Sequence, residues 1–261
     1  MKIHTIQAGL MLATLALSAS ACSIQASGEL GKLQAQAKAC PRGIVDSYVG
    51  DDVSGTSRAR SITSTRHSVI KDVVSRTAVC GGHLRVDAFT GSSAASVIVF
   101  DGDLKPPGAT LIARLRQVSK LTDSATRTID EGIATATASL PANGSDILGQ
   151  FDLLSDYSRQ RRMVSDGHTL EADLLTDGVQ TTSVVLNTSA LTSSVAIDLA
   201  KNAPIVTLPV NSRIKVSGLG KVDGSQPPTS YVAALKAFYL TYCHRTGAAT
   251  CDAVVDYTAG S

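Results

Sequence analysis

The chain has 261 residues, of which 43% are hydrophobic and 18% are charged, so it is long and apolar enough to bury one sizeable core. Its formal net charge of +2, with no basic stripe interleaved with aromatic residues, argues against a nucleic-acid partner. Aromatic residues make up only 4% of the chain and tryptophan is absent, which argues against a surface that stacks sugars or single-stranded bases.

Residues 1–21 have the pattern of an export signal. A lysine gives a positive start, residues 8–17 form a short apolar run, and small residues follow up to Cys22. The run is too short to serve as a stable membrane anchor. Residues 19–21 fit ordinary signal cleavage, but the same stretch resembles a bacterial lipobox, with Ala19 where that motif usually has Leu. The chain is therefore predicted to be exported, either as an envelope lipoprotein anchored through Cys22 or as a plainly secreted protein.

The cysteine count favours the lipobox. Five cysteines leave one odd member, and Cys22 is the one that a lipid would account for. The other four can pair in an oxidising compartment. Cys243 and Cys251 are close in sequence around a predicted turn and form one predicted disulfide, which leaves Cys40 and Cys80 for the other.

The rest of the chain divides into a tether, one domain and a tail. Residues 22–39 are small and polar, which predicts a tether. Residues 40–245 are predicted to form the domain, and residues 246–261 a C-terminal tail. The elements predicted in chain order are a strand at 44–49, a helix at 64–79, strands at 84–89 and 96–100, a helix at 123–140, a helix capped by Ser145 and running to about 160, a strand at 170–176, a helix at 189–201, strands at 205–208 and 213–218, and a helix at 230–242.

This alternation of strands and helices predicts an α/β fold with a doubly wound, mostly parallel sheet and helices on both faces. The short, glycine-containing link at residues 90–93 predicts a hairpin, which makes one edge strand antiparallel. In a doubly wound sheet, ligands bind beyond the carboxyl ends of the strands, near the point where strand order reverses.

Three short oxygen-rich motifs stand at element boundaries: residues 52–56 (DVSGT), 144–146 (GSD) and 176–178 (TDG). Asp52 follows the first predicted strand, Asp177 follows a later one, and Ser145 begins a helix on the same rim. The motifs supply two carboxylates and three hydroxyls, the ligands that small divalent cations prefer. We therefore expect these side chains to meet at one point; the alternative is that each is an ordinary cap or turn residue.

In this order, the motifs resemble those of the von Willebrand factor type A domain and its metal-ion-dependent adhesion site. The resemblance covers roughly residues 41–243 and implies the Rossmann-like fold of that family. It also implies a set of ligands for Mg²⁺ or Ca²⁺: hydroxyls from Ser54, Thr56 and Ser145, with Asp52 and Asp177 binding directly or through water.

The sequence departs from the family pattern in three places. Thr56 replaces a serine and Ser145 replaces a threonine, and both substitutions keep a hydroxyl oxygen. Asp46 and Ser47 interrupt the strand before the first motif, where apolar residues are expected. This predicts either a solvated edge strand or a strand that begins later.

The resemblance implies a non-enzymatic adhesion or binding protein of the cell surface or envelope. Magnesium takes six oxygen ligands, so such a site leaves a position for water or for an acidic residue of a protein or cell-envelope partner. Arg58 and Arg60 could contact an acidic partner too, although solvated loop charges are the alternative interpretation.

A cell-envelope serine hydrolase is the alternative function. Residues 68–71 fit the S-x-x-K pattern, with Ser68 as nucleophile and Lys71 as base. No S-D-N motif follows, and the neighbouring valines favour an ordinary packing helix.

Overall fold

A computed structural model describes residues 28–164, 167–188 and 190–258. The predicted signal and Cys22 lie outside these residues. Among the helices described, none combines the length and apolar character needed to cross a bilayer. The strands are β1 (Ile44–Asp52), β2 (His83–Phe89), β3 (Val97–Asp103), β4 (His168–Leu175), β5 (Arg213–Ser217) and β6 (Thr250–Val254). The helices are α1 (Glu29–Lys38), α2 (Arg60–Cys80), α3 (Leu111–Leu115), α4 (Val118–Ser139), α5 (Ile147–Val164), α6 (Ser193–Asn202) and α7 (Thr229–Arg245).

The strands form one six-stranded sheet in the order β3-β2-β1-β4-β5-β6. Every neighbouring pair is parallel except β2 and β3, which form the predicted hairpin. The predicted fold class is therefore confirmed. The chain runs outward from β1 to β3 and returns on the other side of β1 with β4, so strand order reverses between β1 and β4. The carboxyl ends of these two strands border the crevice in which such sheets bind ligands.

Helices pack on both faces of the sheet, but they cover one face only in part. One hydrophobic cluster joins the sheet to α5, α6 and α7, and a second joins β1 and β2 to α2 and α4. On β4 and β5, four side chains on the α2 side are charged: Glu171, Asp173, Arg213 and Lys215. Glu171 pairs with Arg76 of α2 at 2.8 Å and with Arg213 at 3.5 Å. Burial raises the pKa of the neighbouring Asp173 to about 7, against the opposing effect of Lys215.

The polar residues inside β1 are explained by buried partners. Asp46 accepts a hydrogen bond from Arg161 Nε at 3.0 Å and also pairs with His168. The Ser47 hydroxyl lies 2.6 Å from that of Thr77 on α2. β1 is a central strand that begins at Ile44, with parallel neighbours on both sides. Both expectations for this strand, a solvated edge and a later start, are therefore wrong.

Three predictions along the chain are corrected by the structure. Residues Glu29–Lys38, predicted as part of a tether, form α1, whose Leu30 and Leu33 pack against the cluster that contains α2. The strand predicted at 205–208 does not form. The predicted tail contains Thr250–Val254 as the edge strand β6, which pairs with β5 and so extends the domain beyond residue 245.

Both predicted disulfides are formed. Cys40–Cys80 ties the residues after α1 to the last residue of α2, and Cys243–Cys251 ties α7 to β6. The first bond spans 40 residues of sequence and the second only 8. Because a longer closed loop removes more conformational entropy from the unfolded chain, the two bonds should contribute unequally to stability.

We expect replacement of Cys40 and Cys80 together by serine to lower the free energy of unfolding by about 4 kcal/mol. Replacement of Cys243 and Cys251 together by serine serves as the matched control and should cost about 2.5 kcal/mol. Urea unfolding of the two double variants, without reductant, measures the difference. Equal losses would show that loop length does not control the contribution of these bonds.

Candidate metal centre

The first motif lies at the carboxyl end of β1, where Asp52 is the last residue of the strand. The Asp52 Oδ1 atom accepts a hydrogen bond from the Ser54 amide at 3.0 Å, which turns the chain sharply after the strand. One turn of 3₁₀ helix follows at Gly55–Ser57. The Gly55 amide donates to the Ala142 carbonyl at 2.8 Å, so this loop is attached to the segment that precedes the second motif.

The second motif lies between α4 and α5. Gly144 has φ +74°, and a Cβ atom there would lie 2.4 Å from the Thr181 hydroxyl, so glycine fits both the backbone and the space. Asp146, rather than the predicted Ser145, caps α5, because its Oδ1 accepts from the Gly149 amide at 3.2 Å. The Ser145 side chain is therefore not used as a cap.

The third motif lies after β4 and is contacted by α7. Gly178 has φ +82°, and a Cβ atom there would lie 2.5 Å from the Leu219 side chain. The Tyr239 hydroxyl of α7 donates to the Gly178 carbonyl at 2.9 Å. Asp177 Oδ1 accepts from the Val179 amide at 2.8 Å, which fixes the carboxylate at the end of the strand.

The structure brings all five predicted side chains into one connected network. The Ser145 Oγ atom lies 2.8 Å from Asp52 Oδ2 and 3.1 Å from Ser54 Oγ. Ser54 Oγ lies 3.5 Å from Thr56 Oγ1, and the Thr56 hydroxyl donates to Asp177 Oδ2 at 2.6 Å. Three motifs that are far apart in sequence therefore meet at the reversal of strand order.

The network is buried except at Thr56. Asp52 and Asp177 are 0% exposed, Ser54 is 2% exposed and Ser145 is 3% exposed, whereas Thr56 is on the surface. Burial, and then repulsion by Asp52, raises the pKa of Asp177 to about 6. Among the residues that the structure describes, no Lys, Arg or His side chain forms an ion pair with either carboxylate.

Two side chains that contact this network or its loops had no role in the sequence prediction. Thr176 donates from its hydroxyl to Asp52 Oδ2 at 2.7 Å and so orients that carboxylate. Arg66 of α2 lies behind the first motif: it pairs with Asp51 at 3.0 Å and donates to the backbone carbonyls of Asp52 and Ser57. Burial raises the pKa of Asp51, and Arg66 opposes that shift. The position of Arg66 could have been noticed in the sequence, because it lies four residues after Ile62 and therefore on the apolar stripe of α2.

Comparison with protein-family models finds no match, and comparison with curated proteins finds none either. Among solved structures, the chain is similar to the conserved hypothetical protein BatB from Bacteroides thetaiotaomicron. The two share 9% sequence identity over 83% of this chain and 92% of that chain, with a TM-score of 0.41. It is also similar to proximal thread matrix protein 1 from the mussel byssus, at 15% identity over 67% of this chain and 38% of that chain, with a TM-score of 0.36. No function is transferred from either.

The donor set fits a hard divalent cation. All five side chains offer oxygen, and the hydroxyl hydrogens of Ser145 and Thr56 can be directed at the two carboxylates, which leaves the hydroxyl lone pairs for an ion. Since Asp51 is balanced by Arg66, the charge of Asp52 and Asp177 together matches that of one divalent cation. Within the described ranges, no group of three or more His, Cys, Asp or Glu side chains is placed to hold a metal, so hydroxyl groups would have to supply the other ligands here.

The pair predicted for a serine hydrolase does not form a nucleophile and base. The Ser68 hydroxyl donates to the Ser64 carbonyl within its own helix at 3.2 Å. The Lys71 ammonium pairs with Asp123 of α4 at 3.0 Å. Both side chains are exposed, and no hydrogen bond joins them in the described part of the chain, whereas an activated serine requires such a bond.

Proposed function

We propose that this chain is an exported binding protein that depends on a divalent cation, Mg²⁺ or Ca²⁺, as the resemblance to von Willebrand factor type A domains implies. The hydroxyls of Ser54, Thr56 and Ser145 would hold the ion, with Asp52 and Asp177 binding directly or through water. One observation carries this proposal: five oxygen-bearing side chains from three distant loops meet at the switch point of a doubly wound sheet.

The charge of the site supports a bound cation. Two fully buried carboxylates that face each other through hydroxyl groups destabilise the folded chain, because each is desolvated and each repels the other. A divalent cation bound between the two carboxylates would offset both their desolvation and their mutual repulsion. Asp52 and Asp177 each accept a backbone amide at Oδ1, as a capping residue does, but their Oδ2 atoms accept from the hydroxyls of Ser145 and Thr56 inside the network, which capping alone does not require.

The partner is proposed to be a protein or a cell-envelope component that presents an acidic residue. Thr56 is the exposed member of the network, so the ion would be reached from this side. A cation held by a few protein oxygens keeps a position for water, and a partner carboxylate could replace that water. The proposed function is binding without catalysis.

The proposals of export and of membrane anchoring rest on the N-terminal sequence and on the cysteines. Two disulfides are typical of proteins from oxidising compartments, which supports export. A lipid on Cys22 would anchor the chain in the envelope membrane, and the alternative is simple secretion after signal cleavage. Mass spectrometry of the mature protein distinguishes them, because only the anchored form carries a lipid increment on Cys22.

Calorimetric titration with MgCl₂ and with CaCl₂ tests the metal proposal. Wild type should bind one ion per chain, and Asp52→Ala and Ser145→Ala should each weaken binding at least tenfold. Asp198→Asn removes an exposed carboxylate on α6 and is the matched control, which should bind like wild type. The absence of binding heat and of any thermal stabilisation of wild type by either ion would refute the proposal.

A further inference from the structure

A cavity lies beside the candidate metal centre, between the first half of α2 and α4. Its volume is about 370 Å³, within the range of roughly 300–1,000 Å³ that ligand pockets occupy. Ile70 of α2 and Ile133 and Ala134 of α4 form an apolar wall, to which Val53 contributes from the first loop. None of the five proposed metal ligands lines this cavity.

The same cavity carries an excess of positive charge. Its lining holds three arginines against two aspartates, of which Asp51 lies 3.0 Å from Arg66 and Asp130 lies 2.8 Å from His67. Arg58 donates from Nε to the Val53 carbonyl at 2.9 Å. In the described ranges, no carboxylate forms an ion pair with Arg58 or Arg60. Two guanidinium groups on the cavity wall therefore have no anionic partner among the residues that the structure describes.

A buried donor on the cavity wall points to the same ligand chemistry. Arg66 is 2% exposed, and its two terminal nitrogens bind Asp51 and backbone carbonyls. Its Nε has no hydrogen-bond partner among the described residues, although Arg66 lines the cavity. A buried N–H without an acceptor is unfavourable, and it leaves a positive partial charge beside the cavity. The first turn of α2, which begins at Arg60 without a side-chain cap, adds a positive partial charge nearby.

We propose that this cavity binds an organic carboxylate carried on a short apolar body. The carboxylate would lie at Arg58 and Arg60, since guanidinium groups bind carboxylates through paired hydrogen bonds and the terminal nitrogens of both are without an ion-pair partner among the described residues. The apolar body would lie against Ile70 and Ile133. A free short-chain acid and the C-terminal leucine of a peptide share this chemistry. The site is separate from the metal centre and does not rest on the proposed function.

Titration with hexanoate, followed by amide NMR shifts in EDTA, tests the proposal without any divalent cation. Hexanoate should shift the signals of residues on the cavity wall and saturate, and hexanol, which has no charge, should bind at least tenfold more weakly. Arg58→Gln combined with Arg60→Gln should weaken hexanoate binding at least tenfold. Arg127→Gln removes an exposed arginine from α4 outside the cavity and is the matched control.

A cavity-filling variant keeps the test valid if the arginine variants fold poorly. Ala134 is an exposed residue of α4, so Ala134→Phe should leave the fold intact while its ring occupies the cavity and blocks hexanoate. N-acetyl-alanyl-leucine distinguishes a peptide C terminus from a free short-chain acid as the natural ligand. Tighter binding of this dipeptide than of hexanoate indicates a peptide terminus, and weaker or equal binding indicates a free acid. No binding of either probe, or hexanoate binding unaffected by both the arginine and the Ala134 variants, would overturn the proposal.

Discussion

Asp177→Asn should stabilise the protein when no divalent cation is present and leave it less stable than wild type when magnesium is added. Burial and the charge of Asp52 raise the pKa of Asp177 to about 6 in the folded chain. An unfolded aspartate loses its proton near pH 4. Between these values the folded chain binds more protons than the unfolded chain, so the free energy of unfolding falls as pH rises, by about 3 kcal/mol in total.

The asparagine variant does not ionise, so it should avoid most of this loss. At pH 7.5 in EDTA it should be more stable than wild type by about 1–2 kcal/mol, after allowance for a weaker hydrogen bond with Thr56. With magnesium at one hundred times its dissociation constant, wild type should gain about 2.7 kcal/mol. The variant lacks one of the two site carboxylates, and hundredfold weaker binding would leave it a gain of about 0.4 kcal/mol, so the order of stability reverses.

Urea unfolding at pH 4.5, 6 and 7.5, with EDTA or with magnesium, measures both effects. Asp173, whose pKa burial raises to about 7, titrates in both proteins, so the difference between their pH profiles isolates Asp177. Asp198→Asn should follow wild type in every condition. If magnesium stabilised wild type and Asp177→Asn equally, Asp177 would be a turn residue and not part of a metal centre.

The position of the site could be predicted from sequence because it depends on local signals. Predicted strands that end shortly before Asp52 and Asp177 mark two carboxyl ends, and in a parallel sheet these ends share one edge. The strand order was not readable from the sequence. It depends on which strands pair, and here it sets β4 directly beside β1, so that Thr176 reaches Asp52.

The elements that the sequence did not predict are those whose local signal is weak. α1 contains no fully buried residue, and its amphipathic pattern is carried mainly by Leu30 and Leu33. β6 buries only Cys251 and Ala253, and its conformation is set by pairing with β5 and by the disulfide to α7. Residues 205–208 are more apolar than β6, yet they form no strand because no strand of the sheet pairs with them. Tertiary contacts therefore decide the conformation of short segments.

Arg66→Met should destabilise the protein by about 5 kcal/mol, because it leaves the buried Asp51 carboxylate without its counter-charge. The substitution also removes the donors to the carbonyls of Asp52 and Ser57, which hold the first motif in its turn. Since burial already raises the pKa of Asp51, loss of Arg66 should raise it further. The folded variant would then keep this proton to higher pH than the unfolded chain, so its loss of stability should be smaller at pH 5 than at pH 7.5.

A double variant separates the charge from the packing. If the unpaired carboxylate is the main cost, Arg66→Met with Asp51→Leu should recover at least half of the stability lost in Arg66→Met, because an apolar pair replaces a buried ion pair at little cost. Arg127→Met, on the exposed face of α4, should change stability by no more than about 0.5 kcal/mol. Recovery of stability without recovery of magnesium binding would show that Arg66 positions the Asp52 loop as well as balancing Asp51. Failure of the double variant to recover any stability would mean that the lost hydrogen bonds to the Asp52 and Ser57 carbonyls, and not the charge of Asp51, account for the destabilisation.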